Sequence, residues 1–198
     1  MSKKEKLNAI KEEIHQANLP LKDTSTNLVF GKGSENTPIL FIGEAPGEKE
    51  DLQGVPFVGR AGQELNSLLN SINLSIDDVY IANVLKYRPP SNRDPNPEEI
   101  QKHAPFLIKQ IEVIQPKVIA TLGNYATKFV LAGFDEKRMK NIEGITKLHG
   151  KVKETDVNGS AVKVIPLYHP AAMLYNPQLR KDVESDFQTM GELLKNLK

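Results

Sequence analysis

The 198-residue sequence contains no cysteine. Disulfide bonds, zinc sites built from thiolates and cysteine-ligated iron–sulfur clusters are therefore excluded. A chain without cysteine fits a cytoplasmic protein, and we expect that location. The formal net charge is only +1, from 26 Lys and Arg against 25 Asp and Glu, so no global basic field indicates a nucleic-acid partner. A local basic face is still compatible with this composition, because the two signs of charge need not be mixed evenly.

Long apolar runs are missing as well. No segment approaches the run of about 18 apolar residues that predicts a membrane helix, and the polar start of the chain does not resemble a signal peptide. With 39% hydrophobic residues, the chain has enough apolar material for a real core, and we expect one soluble domain over residues 1–198 that does not bind a membrane. The four histidines are scattered without a ligand motif, so we expect no metal site.

Short apolar runs alternate with segments of helical periodicity along most of the chain. The runs predict core strands at residues 38–42, 79–84, 118–122 and 164–168. Apolar spacing and capping residues predict helices at about 4–17, 60–72, 97–114, 124–131 and 179–197. This alternation is typical of an α/β protein, and we predict a three-layer α/β/α sandwich around a mainly parallel, four-stranded central sheet.

Two shorter features complete the predicted fold. The Asn158-Gly159 pair indicates a hairpin turn in front of the fourth core strand. Residues 28–30 predict a short strand. Residues 31–34 predict a plain turn, because the spacing of a phosphate-binding P-loop is absent.

Two carboxylates follow the first core strand. Glu44 and Glu50 leave the carboxyl end of that strand on a turn that contains Pro46 and Gly47. Open α/β sheets bind their ligands at this end of the strands. A surface acidic turn is the plain alternative, and these residues alone do not decide between the two interpretations.

Three further side chains belong to the same predicted edge of the sheet. Phe57 is the large flat side chain of an apolar, glycine-rich loop, Asn83 lies near the end of the second strand, and His169 follows the fourth. Each of them is ambiguous alone, because a lone histidine is more often structural than catalytic. Together with the carboxylates they suit a planar polar heterocycle beside a sugar phosphate. The Asn amide supplies the donor and the acceptor that a uracil edge needs, and Phe57 can stack on the ring.

A basic, proline-stiffened loop follows the second strand. It carries Lys86, Arg88 and Arg93, and three cations near a strand end make a phosphate cradle plausible. A solvated loop is the alternative that composition alone favours.

Four segments together resemble the family 4 uracil-DNA glycosylases. They are residues 43–51, 56–62, 83–93 and 169–172, and they occur in the order and with the spacing of that family. The resemblance spans about residues 15–190, which makes it far more specific than one short motif. It implies a uracil-DNA glycosylase fold and a DNA repair activity that excises uracil by hydrolysis of the N-glycosidic bond, leaving an abasic site.

The resemblance also implies a role for each matching residue. Phe57 stacks on uracil and Asn83 reads its edge, while Glu44 and Glu50 lie at the floor and rim of the pocket. His169 faces the uracil oxygen O2. Ala45 stands in the pocket where some uracil-DNA glycosylases carry a water-activating Asp. Activation of the water is therefore assigned to Glu44 or Glu50, and the sequence does not decide between them.

For the DNA itself, the resemblance implies two sets of contacts. The cations expected at the backbone are Arg60, Lys86, Arg88 and Arg93. The loop from His169 to Met173, with Pro170, Ala171 and Ala172, is expected to wedge into the duplex as the nucleotide leaves the stack. We expect uracil-containing DNA as the partner and a monomer as the working form.

The sequence departs from the family at its iron–sulfur site. Members usually hold a [4Fe–4S] cluster with four cysteines, and the matching positions here are Gln16, Leu19, Tyr87 and His103. We therefore expect no cofactor, and a site in which side chains, chiefly Leu19 and Tyr87, fill the space of the cluster. A smaller departure is Tyr175, where an arginine often follows the His-Pro loop.

Two alternative functions stay compatible with the sequence. One is a glycosylase for another deaminated base, because Gly47 obstructs the C5 side of the pocket less than a tyrosine would. The other is a non-catalytic DNA-lesion-binding or polymerase-associated module. The presence together of Glu44, Glu50, Asn83 and His169 argues against the second.

Overall fold

A six-stranded sheet forms the centre of residues 1–197, the part of the chain that the computed structural model describes. Its strands are β1 (Lys32–Gly33), β2 (Ile39–Gly43), β3 (Tyr80–Asn83), β4 (Val118–Leu122), β5 (Lys153–Val157) and β6 (Ser160–Leu167). Their order across the sheet is β1-β3-β2-β4-β6-β5. The central pairs β3–β2, β2–β4 and β4–β6 are parallel, which confirms the predicted four-stranded parallel core.

Both edges of the sheet are antiparallel additions to that core. β5 and β6 form a hairpin across Asn158 and Gly159, whose φ values of 48° and 84° suit a tight hairpin turn. β1 pairs with β3. The prediction of a strand at residues 28–30 is wrong: this segment is irregular, and its Val29 N–H donates to the carbonyl of Lys86 at 2.9 Å.

The helices lie on the two faces of the sheet. They are α1 (Lys3–Gln16), α2 (Glu48–Gln53), α3 (Arg60–Ser71), α4 (Pro97–Ile114), α5 (Asn124–Leu131), α6 (Ile145–Leu148), α7 (Ala172–Tyr175) and α8 (Arg180–Lys195). Asn96 and Glu99 form a capping box at the start of α4. Among residues 1–197, no helix combines the length and the apolar character needed to cross a membrane.

Alternate side chains of each central strand enter two separate cores, as a pleated sheet requires. On β2, Leu40 and Ile42 pack with α1, α4 and α5, whereas Ile39 and Phe41 pack with α3 and α8. The three layers of the predicted sandwich are thus helices, sheet and helices.

The carboxyl ends of the parallel strands gather at one edge of the sheet. Gly43 of β2 is in register with Asn83 of β3. The pairing continues beyond both strands, because Val84 N–H donates to the Gly43 carbonyl and Leu85 N–H to the Glu44 carbonyl. His169 follows β6 at the same edge, so the sheet itself positions the predicted site.

Candidate active site

A cavity of about 470 Å³ opens at this edge of the sheet. Glu44, Glu50, Phe57, Asn83 and His169 all line it. The structure therefore brings together the carboxylates, the amide, the aromatic ring and the imidazole that the sequence assigned to one site. A cavity of this size with a few converging polar groups suits a small planar ligand.

Gly43 allows the amide and the ring to approach each other. A Cβ atom at this position would lie 2.4 Å from Asn83 Oδ1 and 3.3 Å from Phe57 Cε2. Any larger residue at the end of β2 would therefore displace the Asn83 side chain. Asn83 is only 3% exposed, so its amide faces the cavity and not bulk solvent.

Phe57 has an unusual backbone conformation. Its φ is 53°, in the left-handed region that aromatic residues rarely adopt. The turn is compact, because a Cβ on Gly62 would lie only 2.0 Å from the Phe57 carbonyl oxygen. Lys32 Nζ donates to that same oxygen at 3.3 Å. Backbone strain of this kind is kept where surrounding structure fixes a functional side chain, here a ring on the cavity wall.

His169 lies beside the Phe57 ring, with 5.6 Å between ring centroids and an angle of 30°. Burial lowers the pKa of His169, although the charge of Glu50 opposes that effect. The Ala171 N–H donates to Nδ1 at 3.2 Å, so the neutral ring carries its proton on Nε2. At neutral pH the ring is thus an uncharged N–H donor.

The two carboxylates have different surroundings. Burial raises the pKa of Glu44, and the charge of Asp94 raises it further. The Glu50 carboxylate lies over Gly47, where a Cβ would be 2.7 Å from Oε2. The space beside Gly47 is therefore occupied by a carboxylate. Its charge in turn favours the ammonium of Lys32, whose pKa is lowered by burial and raised by Glu50. The prediction of a plain turn at residues 31–34 is wrong, because Lys32 and Gly33 form β1. No pattern in that segment indicates that Lys32 contacts the Phe57 carbonyl.

One of the predicted DNA contacts is wrong. Lys86 is fully buried, with 0% exposure, so its ammonium cannot reach a phosphate. It was misassigned because its sequence neighbours are typical of a solvated basic loop.

The other three cations are accessible but differ in their partners. Arg60 begins α3 and is exposed, and Arg88 Nε donates to Asn92 Oδ1 at 2.8 Å. Arg93 is bound through two hydrogen bonds, at 2.9 and 2.5 Å, to the Glu99 carboxylate. A guanidinium held this way is less available to DNA than that of Arg88.

The loop after His169 forms part of the cavity mouth. Pro170 is buried, whereas Ala171 and Ala172 are half-buried and lead into the short helix α7. Ala45 is half-buried and also lines the cavity. The last residue of α7, Tyr175, is 88% exposed and also lines the cavity, which sequence reasoning did not predict.

The positions that match the iron–sulfur ligands do not fit a cluster. Leu19, Tyr87 and His103 are buried, and Gln16 is exposed. Both nitrogens of His103 are already engaged, with the Lys86 N–H and the Pro20 carbonyl, and the Tyr87 ring meets the His103 ring edge-on at 6.0 Å. The site is therefore a packed junction with no thiolate. Among residues 1–197, no group of three His, Asp or Glu side chains is placed to hold a metal ion.

Comparison with known proteins gives a family model and relatives that agree with one another. A family model described as the uracil DNA glycosylase superfamily matches residues 30–196. A type-4 uracil-DNA glycosylase of Archaeoglobus fulgidus is 52% identical over 87% of this chain and 85% of its own. Proteins of the same name from Sulfurisphaera tokodaii and Saccharolobus solfataricus are 45% and 48% identical, over 94% and 85% of this chain and 84% and 76% of their own.

Proposed function

The chain belongs to the uracil DNA glycosylase superfamily, and from that premise we propose that it excises uracil from DNA by hydrolysing the N-glycosidic bond. The observation that carries the proposal is the convergence of the Asn83 amide, the Phe57 ring and the His169 imidazole on one cavity. The product is free uracil and an abasic site in the DNA.

Base recognition falls to Asn83 and Phe57. The amide of Asn83 presents an acceptor to the uracil N3–H and a donor to O4, while cytosine presents the opposite pattern at these atoms. The ring of Phe57 gives the flipped base a stacking surface. Since Gly43 lets both groups approach the same point, one base can engage both.

Cleavage of the glycosidic bond requires stabilisation of the electron pair that the bond leaves behind. As the C1′–N1 bond breaks, the pair moves to the uracil ring and the sugar becomes an oxocarbenium-like cation. The neutral His169 can donate its Nε2–H to uracil O2, where negative charge develops. A donor that is already oriented by the Ala171 N–H costs little reorganisation at the moment of reaction.

We assign the activation of the attacking water molecule to Glu44. A water molecule adds to C1′ and gives up a proton, and the raised pKa of Glu44 suits a carboxylate that accepts one. Glu50 lies instead beside His169 and Lys32, whose titrations it influences, so we assign it to the electrostatics of the pocket rim.

The DNA backbone is proposed to follow the exposed cations. Arg60 and Arg88 are the strongest candidates, and Arg93 contributes if it leaves Glu99. We propose that the loop of Pro170, Ala171 and Ala172 enters the space left by the flipped nucleotide, since its Ala171 lines the cavity together with Tyr175. We further propose a single-domain monomer, because all of these groups come from one sheet edge of one chain. We propose a cytoplasmic location, which a chain without cysteine fits.

The test is cleavage of a labelled oligonucleotide that contains one uracil, followed by hot alkali and gel separation. Strand breakage at the uracil, absent from a matched cytosine oligonucleotide and absent before alkali, is the expected result. Oligonucleotides with hypoxanthine or xanthine, run in parallel, identify a preference for another deaminated base. Binding to the uracil oligonucleotide without strand breakage would support a lesion-binding module and overturn the proposal.

A further inference from the structure

One polar side chain contacts the backbone of a cavity residue and has no part in the mechanism above. Lys86 follows the end of β3 by three residues, and its fully buried ammonium has two acceptors. Nζ donates to the backbone carbonyl of Asn83 at 2.8 Å and to Oε1 of Gln110 at 2.6 Å. An ammonium buried without acceptors is strongly disfavoured, so these two contacts determine where the side chain lies.

The first acceptor belongs to the residue that reads the base. Asn83 is the last residue of β3, and its pairing with Gly43 is the last position of the β2–β3 ladder. Val84 and Leu85 still donate their N–H groups to the Gly43 and Glu44 carbonyls before the chain turns toward the basic loop. The Lys86 ammonium thus holds the carbonyl of the Asn83–Val84 peptide, whose N–H group is held by the Gly43 carbonyl. A rotation of this peptide would also move the side-chain amide away from its place over Gly43.

The second acceptor anchors Lys86 to the helical layer. Gln110 of α4 is fully buried, and its Nε2 donates to the carbonyl of Phe30 at 3.0 Å. The backbone N–H of Lys86 donates to Nδ1 of His103, also on α4. Main chain and side chain of Lys86 are therefore both bound to the same rigid helix.

Protonation is not required for this arrangement. Burial lowers the pKa of Lys86 to about 7, so both the ammonium and the amine are populated near neutrality. Either form has an N–H group for the Asn83 carbonyl.

We propose that Lys86 is a positioning residue for uracil recognition, which holds the Asn83 carbonyl and so keeps the Asn83 amide aimed at the base. This inference rests on the proposed function, because it concerns the base that Asn83 reads. A displacement of such a group by about 1 Å is enough to slow a reaction about a hundredfold.

The first experiment uses Lys86→Met, which keeps the length and apolar stem of the side chain. We expect single-turnover cleavage of uracil DNA to fall about ten- to a hundredfold. Inhibition by free uracil should weaken in parallel, while affinity for undamaged DNA should stay within about threefold. Thr155→Val is the control, since it removes a buried donor on β5 that binds the Val130 carbonyl of α5, and neither residue lines the cavity. It should lower the melting temperature without changing cleavage or uracil inhibition.

A matched pair at Gln110 keeps the inference testable if Lys86→Met does not fold. Gln110→Glu and Gln110→Leu both lose the donor to Phe30, but only Glu keeps an acceptor for Lys86. Measured below their melting temperatures, Gln110→Glu should cleave within about threefold of the wild type and Gln110→Leu at least about tenfold more slowly.

Two results would overturn the inference: equal cleavage by the two Gln110 variants, or wild-type cleavage and uracil inhibition in Lys86→Met. Failure of the wild type itself to release uracil would instead refute the proposed function.

Discussion

Acidification should destabilise the fold through His103, a fully buried residue of α4. Its Nδ1 accepts the backbone N–H of Lys86 at 2.9 Å, and its Nε2–H donates to the carbonyl of Pro20 at 3.1 Å. Only the neutral ring can make both bonds, because a protonated ring has no acceptor. Burial is the largest cause that lowers the pKa of His103, to about 4, and the charge of Lys86 acts in the same direction.

The direction and size of the effect follow from linkage. The unfolded chain binds a proton at this histidine near pH 6.5, whereas the folded protein does so only near pH 4. Between these values the unfolded state holds more protons, so the free energy of unfolding falls as the pH falls. The interval of about 2.5 pH units, at about 1.4 kcal/mol each, amounts to about 3 kcal/mol. This stabilisation is fully present above pH 6.5 and is lost on the way to pH 4.

The assay is urea unfolding at pH 7 and pH 4 of the wild type, His103→Gln and His15→Gln. His15 is an exposed residue of α1 and serves as the control. Carboxylates titrate in all three proteins and cancel in the comparison. We expect the wild type and His15→Gln to lose about 3 kcal/mol more than His103→Gln. The same pH dependence in all three proteins would refute the reasoning.

Four further predictions concern the site and its support. Asn83→Asp should relax selectivity toward cytosine, because a carboxylate accepts from the cytosine amino group; unchanged selectivity in the oligonucleotide assay would mean that Asn83 does not read the base. His169→Ala should slow single-turnover cleavage by about a hundredfold or more with little loss of DNA affinity, and an unchanged rate would make it a loop residue only. Arg88→Ala should lower the slope of log affinity against log salt by about 1, whereas Arg93→Ala should change it less, because Glu99 already holds that guanidinium; anisotropy titrations in a salt series would contradict this if the order were reversed. Tyr87→Ala should cost about 3–5 kcal/mol of stability, since it empties a buried aromatic position, and a thermally silent variant would show that the junction is loosely packed.

The sequence was sufficient for the parts that depend on local pattern. Unbroken apolar runs identify β2, β4 and β6 because strands buried on both faces need no alternation. The meeting of Asn83 and His169 follows from topology, since the carboxyl ends of parallel strands share one edge. The carboxylate of Glu50 over Gly47 depends on a turn conformation that residue types alone do not determine.

Burial of Lys86 is the feature that sequence reasoning was least able to find. Its neighbours are basic or proline, which is typical of a solvated loop. Its acceptors are a backbone carbonyl and a side chain 24 positions further along the chain. The left-handed backbone conformation of Phe57 could not be predicted from the sequence either. Glycine is the residue type that indicates a positive φ, and Phe57 is not a glycine.

The two edges of the sheet have a consequence for how this protein behaves at high concentration. An exposed strand edge offers unpaired backbone groups to any other chain, and long apolar edges promote aggregation. Here one edge is β1, only two residues long, and the other is β5, whose outer positions are charged. Neither offers a template for adding a strand. Both edges therefore protect the chain from pairing with a second copy of itself through the sheet.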